Sequence, residues 1–170
     1  MAKSDNQEER LPIVDEQGYV IGSATRGACH DGSHLLHPVV HLHLFNSEGQ
    51  LYLQHRPAWK DIQPNKWDTA VGGHVDFGES IEQALKREVS EELGISNFTP
   101  EFLTQYIFES ARDRELVYAY KAITTEIPQP SEELDGGRFF SPQEIKSLIG
   151  KNFFTPNFEQ EYEMLFGKNA

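Results

Sequence analysis

The chain has 170 residues and a mass of 19.4 kDa, about the size of one ordinary domain. Its hydrophobic content is 38%, with 11 Phe, 6 Tyr and 2 Trp, which supplies a core and excludes general disorder. The formal charge of −12 excludes a protein that coats long nucleic acid or an anionic membrane, because both need clustered Lys and Arg.

Residues 1–10 are polar and read as a flexible tail ahead of a single domain over 11–170. Leu11–Val14 and Tyr19–Ile21 flank Asp15-Glu16-Gln17-Gly18 and predict a hairpin. Arg26–Pro38 is a Gly- and His-rich connection. Val39–Phe45 and Leu51–His55 are β-rich runs joined by Asn46-Ser47-Glu48-Gly49, a second hairpin. A loop with two prolines, Pro57–Lys66, leads to Trp67 and a short strand ending at Gly72-Gly73. The clearest helix spans Ile81–Leu93, where Ser80 and Gln83 form a capping box and Gly94 is placed for the C-cap. Ile81, Leu85, Val89 and Leu93 give it one burying stripe. Strands follow over Glu101–Glu109 and Glu115–Thr124. Ser141-Pro142 and Thr155-Pro156 then announce two helices with Pro in the first turn. Hairpins interspersed with helices predict a mixed-sheet α/β sandwich.

Cys29 is the single cysteine, so no disulfide forms within the chain. The first 20 residues hold no apolar stretch of signal-peptide length, and no run approaches the ~20 apolar residues of a membrane span. A cytoplasmic protein without a membrane partner is expected.

The helix after Ser80 carries chemistry. Glu88, Glu91 and Glu92 are spaced i, i+3, i+4 and project from one side of it. Such a cluster is self-repulsive and sits at the unfavourable end of the helix dipole. A hard divalent cation, which prefers carboxylate oxygens, accounts for it better than a wet acidic face does. Glu79 can approach Arg87, two turns on, and Gly73 and Gly78 permit a tight backbone before the helix.

The whole string Gly73–Ile95 resembles the Nudix box, G-x5-E-x7-R-E-U-x-E-E-x-G-U with U bulky and apolar. It matches at every specified position: Gly73, Glu79, Arg87, Glu88, Val89, Glu91, Glu92, Gly94 and Ile95. The resemblance implies the Nudix fold, a mixed β-sheet α/β/α sandwich. It also implies a hydrolase of phosphoric anhydride bonds, dependent on Mg²⁺ or Mn²⁺. The substrate class is a small diphosphate-containing molecule, typically a nucleoside diphosphate joined to another group. By the same resemblance Glu91 and Glu92 are metal ligands, Glu88 a ligand or base, and Gly73 a carbonyl donor. Glu79 with Arg87 is then an internal brace, and a homodimer is common in the family.

The stretch from His30 to His74 also resembles isopentenyl-diphosphate isomerase, a Nudix relative. That resemblance implies a second metal site at His30, His37, His74, Asp113 and Glu115, and a diphosphate clamp at Arg56 and Lys60. Asp113 stands where that enzyme has Glu, and two further departures separate the chain from it. The isomerase carries a cysteine where Gly72 stands here, and its box is degraded whereas this one is complete. Hydrolysis is the reading these support, with an isomerase-like enzyme as the alternative. A non-catalytic nucleotide-sensing module is a third, weakened because such modules lose box glutamates.

Other residues have plainer expectations. His41 and His43 alternate with Leu42 and Leu44, so one face of that strand is imidazole, expected as a partly exposed sheet face, with the substrate cavity as the other place for it. Trp59 and Trp67 are expected in core packing rather than stacked on a base. Cys29 is expected to be unreactive. The positive charge that a diphosphate needs, and that this acidic chain is short of, would come from a cation at the box glutamates.

Overall fold

The computed structural model describes residues 8–60, 63–131 and 134–167. In chain order the elements are β1 (Arg10–Val14), β2 (Val20–Thr25), α1 (Arg26–Cys29), β3 (Leu36–Phe45), β4 (Leu51–His55), β5 (Trp67–Thr69) and β6 (Val71–His74). There follow α2 (Ile81–Leu93), β7 (Glu101–Glu109), β8 (Arg114–Ile123), β9 (Gly137–Phe140), α3 (Pro142–Leu148) and α4 (Pro156–Phe166). The tail expected over residues 1–10 lies outside the described residues as far as residue 7, and Arg10 already opens β1, opposite Thr25.

β1 and β2 form a hairpin of their own, whose turn is closed by Asp15 accepting from the backbone N–H of Gln17 and Tyr19. Among the described residues the main sheet has seven strands, in the order β5-β4-β3-β8-β7, with β6 on β3 and β9 on β4. β3 is the organising strand. It pairs antiparallel with β4 at one end and with β6 at the other, and parallel with β8 along its whole length.

Side chains alternate across β3 as the two-residue period of a strand requires. Val40, Leu42 and Leu44 face α2 and bury against Leu85, Val89 and Leu93. The opposite face is covered by α3 and α4, whose Ile145 and Phe158 join Leu51, Leu53, Phe140 and Phe154. A sheet between helical layers is thus the observed architecture, as expected. Among the described residues no helix is long and apolar enough to cross a membrane.

α2 has the predicted bounds. Ser80 accepts from Gln83 N–H, the Gln83 side chain returns to Ser80 N–H, and Gly94 takes the left-handed conformation at φ 66°. Four features differ from the sequence reading. The one short strand read up to Gly72-Gly73 is two, β5 on β4 and β6 on β3. β3 begins at Leu36, ahead of Pro38, which sits opposite Leu116 of β8. α1, a single turn capped by the Thr25 hydroxyl, falls inside the stretch read as a connection. β9 was not anticipated; it pairs with Leu51–Gln54 of β4.

Candidate active site

Arg87 organises the box. Its Nε donates to Glu79 Oε2 at 2.7 Å and its Nη2 to Glu79 Oε1 at 2.9 Å, a two-pronged pair. Nη2 also donates to the His74 carbonyl at 3.1 Å. Nη1 reaches Glu88 Oε1 at 2.9 Å and Glu91 Oε2 at 3.3 Å. Glu79 in turn accepts from Asp76 N–H at 3.0 Å. One guanidinium therefore ties the loop before α2 to two carboxylates on its surface and offsets part of their repulsion.

Glu88 is largely buried. A Cβ on Gly73 would stand 2.5 and 2.6 Å from its two carboxylate oxygens, so only glycine leaves room for it. Burial pushes the Glu88 carboxyl up to about 7, with the charges of Glu91 and Asp76 adding to the effect and Arg87 opposing it. Glu79 moves the other way, held below its ordinary range by the hydrogen bonds from Arg87.

Above the box three imidazoles converge. The ligand nitrogens of His30, His37 and His74 lie within 4.8 Å of one another. His30 comes from the residue after α1, His37 from β3 and His74 from the end of β6. His30 Nε2 faces His74 Nε2 at 3.0 Å, so at most one of those two nitrogens carries a proton. Burial, Arg26 and the other two rings keep His74 neutral, well below its ordinary value. His37 donates from Nδ1 to the Leu35 carbonyl at 2.9 Å, which points its buried Nε2 at the cluster. Among the described residues that Nε2 has no hydrogen-bond partner, and Glu115 Oε2 stands 3.7 Å away. Asp113 is bound to His30 Nδ1; its carboxylate thus orients that ring from behind.

The box shares one cavity of about 500 Å³ with His30 and His74 of the imidazole cluster. Glu91 and Glu92 reach it from α2, and Arg56 and Lys60 from the loop after β4. Arg56 is steadied by the Gln63 carbonyl at 3.2 Å and by Asp68 at 3.5 Å. Lys60 lies over the Trp59 ring, 5.0 Å from its centroid. Trp59 lines the cavity and so departs from the expected core role, whereas Trp67 packs on Phe140 and Phe153 as expected. Cys29 is fully buried, and burial pushes its thiol up to about 11.

The imidazole face of β3 is not a partly exposed sheet face. α4 covers it, and Glu161 is fully buried between the two rings. His41 Nδ1 meets Glu161 Oε1 at 2.8 Å, and His43 Nε2 meets Oε2. The Tyr106 hydroxyl donates to the same carboxylate and accepts from Asn157 Nδ2 at 3.0 Å. His43 is fully buried, while His41, 12% exposed, lines the cavity. Neither Glu161 nor Tyr106 was a candidate from sequence. The available signal was position: Glu161 follows Phe158 by three and precedes Leu165 by four, placing a carboxylate on the apolar stripe of α4.

Known proteins share both the sequence pattern and the fold. The NUDIX domain family profile matches residues 35–161. The uncharacterized Nudix hydrolase SCO1686 of Streptomyces coelicolor is 33% identical over 162 residues, covering 93% of this chain and 88% of that protein. Isopentenyl-diphosphate Delta-isomerase 1 of Photorhabdus laumondii is 27% identical, over 91% of this chain and 93% of its own. The crystal structure of DR0079 from Deinococcus radiodurans superposes with a TM-score of 0.79 at 26% identity, covering 93% of this chain and 99% of that one. With the complete box folded around Arg87 and the profile spanning most of the sequence, the chain belongs to the Nudix hydrolase family.

Proposed function

We propose that this chain is a Mg²⁺- or Mn²⁺-dependent pyrophosphohydrolase, cleaving the diphosphate linkage of a small nucleoside diphosphate-X type substrate. The observation that carries the reading is Glu88 packed between Gly73 and Arg87, with Glu91 and Glu92 reaching the same cavity. Three carboxylates and a backbone carbonyl at a glycine fit a hard divalent cation. Glu88, Glu91, Glu92 and the Gly73 carbonyl would hold it. His30, His37, His74 and Glu115, with Asp113 orienting His30, fit a second cation, for which the mixed donors suit Mn²⁺, Zn²⁺ or Mg²⁺. When bound, the cation polarises a phosphoryl oxygen and makes a water more acidic.

The chain's own groups do the rest. Arg56 and Lys60 take the charge of the phosphates. A box carboxylate orients the attacking water and accepts its proton. Arg87 keeps Glu79, Glu88 and Glu91 in register for this. A cytoplasmic setting belongs to the same reading, as does a small-molecule substrate rather than long nucleic acid.

The test is release of inorganic phosphate, pyrophosphate and nucleoside monophosphate across four substrate classes: sugar nucleotides, dinucleoside polyphosphates, nucleoside triphosphates and isoprenoid diphosphates, with Mg²⁺ and Mn²⁺ separately. Glu92→Gln is expected to abolish hydrolysis with folding intact; near-parental turnover by that variant across the panel would sink the reading. A second reading, isomerisation of isopentenyl diphosphate, is favoured by the histidine cluster and the Photorhabdus relative. Gly72 counts against it, since the acid/base step at an alkene carbon then lacks a thiol. Conversion of that substrate without phosphate release would establish it instead.

A further inference from the structure

We infer that His41 is a substrate contact of this cavity, donating from Nε2 to a phosphate oxygen of the bound diphosphate, with Glu161 as its positioning residue. The inference rests on the pyrophosphohydrolase reading and adds to it a residue outside the box, the histidine cluster and the Arg56/Lys60 loop.

The first argument is directional. A carboxylate only accepts, so the 2.8 Å contact to Glu161 Oε1 fixes a proton on His41 Nδ1. The ring edge that remains carries Nε2, which has no hydrogen-bond partner among the described residues. It lies over Gly72, where an added Cβ would stand 3.5 Å from His41 Cδ2 and 3.8 Å from Nε2. Gly72 has no side chain to cover that edge, and both residues line the cavity. The donor therefore opens onto the space shared by the box glutamates, Arg56 and Lys60.

The second argument is charge. The charged groups that act most strongly on His41 are Glu161 from α4, Glu115 from β8 and Asp68 from β5, all acidic, with the Tyr106 hydroxyl of β7 on the same Glu161 oxygen and His43 on the other, while Arg56, Lys60 and His74 line the cavity that it faces. Burial alone would push the imidazolium down, but these carboxylates together outweigh it and keep the ring cationic at neutral pH. A buried cation with one N–H turned to an open cavity suits a phosphate oxygen, with a charge-assisted hydrogen bond as the result.

The third argument is that fastening α4 to the sheet does not require this arrangement. Phe158 already anchors the helix in an apolar cluster with Phe154 and Phe140. Apolar residues in place of a buried ion pair are often neutral or stabilising. Glu161, which bonds both His41 and His43, is instead joined by Tyr106 and Asn157 in a hydrogen-bonded support behind the His41 ring, and Asn157 itself reaches the cavity wall.

The test separates the two ring nitrogens. In His41→Asn the amide can replace Nδ1 toward Glu161 but presents nothing at Nε2; His41→Gln places its amide near Nε2. The probe is methylenediphosphonate, a hydrolysis-resistant P–C–P analogue, titrated calorimetrically with Mg²⁺ into the full chain. H41N is expected to weaken its binding about 10-fold or more, to raise KM for any hydrolysed diphosphate by a similar factor, and to leave kcat nearly unchanged. H41Q recovers much of the loss, and E161Q raises KM in the same direction as H41N. Parental binding and KM in a folded H41N would overturn the inference. Should H41N fail to fold, ¹⁵N-histidine spectra of the unaltered chain decide: the His41 Nε2 resonance moves on adding methylenediphosphonate, or the contact is absent. A chain that hydrolyses a diphosphate with H41N unaffected loses only this contact. One that binds the analogue through His41 yet hydrolyses nothing loses the hydrolase reading and keeps the contact.

Discussion

The carboxylate of Glu88 occupies the space that a side chain on Gly73 would need. Gly73→Ala is therefore expected to displace Glu88 rather than to unfold the chain. Overpacking of this kind costs about 1–3 kcal/mol, while misplacing a reacting group by an ångström lowers turnover ~100-fold. Steady-state kinetics beside thermal unfolding checks both. Parental turnover in the alanine variant would mean that the position of Glu88 is immaterial to the reaction.

Arg87 makes five hydrogen bonds in three directions, to Glu79, to the His74 carbonyl and to Glu88 and Glu91. Lysine keeps the charge and loses the fork. Arg87→Lys is expected to lower kcat by about 10-fold or more and to reduce stability by on the order of 1–2 kcal/mol. Both should be read on one preparation by kinetics and denaturant unfolding. If the lysine variant matches the parent in kcat, charge alone is what the brace requires.

The Glu161–His41 pair makes stability depend on pH. His41 is lifted to about 9 in the folded chain, above its unfolded value of roughly 6.5. Its contribution is complete below pH 6.5 and is lost as pH rises through 9. Glu161 is shifted the other way: burial would raise it, but His41 and His43 outweigh burial and hold it well below the carboxylate range. That contribution is present above roughly pH 4.5 and is lost as pH falls below it. Urea unfolding from pH 6 to pH 10 is expected to show a decline on the order of 2 kcal/mol, and Glu161→Gln to flatten it. An equally steep decline in that variant would place its source elsewhere.

Chelation should report on both proposed cation sites. Removal of divalent cations is expected to abolish hydrolysis, and saturation with Mn²⁺ to stabilise the fold by about 2.7 kcal/mol at 100-fold excess over Kd. His37→Asn keeps a donor for the Leu35 carbonyl while removing Nε2 from the cluster. It is expected to weaken one of two classes of Mn²⁺ site by about 10-fold or more, read by paramagnetic resonance titration. A titration curve identical to the parent's would show that the imidazoles hold no cation.

What sequence revealed and what it concealed follow from the range of the interactions. α2 was legible to the residue because each of its signals is local: the Ser80–Gln83 box, the four-residue stripe and Gly94 at its end. The Glu79–Arg87 pair lies within the same short segment. β9 was invisible because Arg138, Phe139 and Phe140 acquire a strand only from β4, far earlier in the chain. Pro38 obscured the start of β3, since proline argues against a central strand, yet its carbonyl still accepts from Val75 N–H and the strand runs through it. The His41–Glu161 contact joins residues 120 positions apart. No spacing rule reaches that far, and the sequence announced α4 only by its Thr155-Pro156 start.

The parallel pairing of β3 with β8 bears on the timing of synthesis. His37 and His74 are brought near one another once β6 lies on β3, and His30 precedes both, so all three imidazoles of the cluster lie within the first 80 or so residues. Asp113 and Glu115 arrive only with β8, and Glu161 only with the last helix. On the ribosome, the imidazoles would therefore emerge well before the acids that flank them, and the second of the two proposed cation sites would stay incomplete until β8 had been made. Contacts this distant in sequence also slow folding. A stalled chain ending ahead of β8 should accordingly bind Mn²⁺ weakly at the imidazoles while already holding every box glutamate.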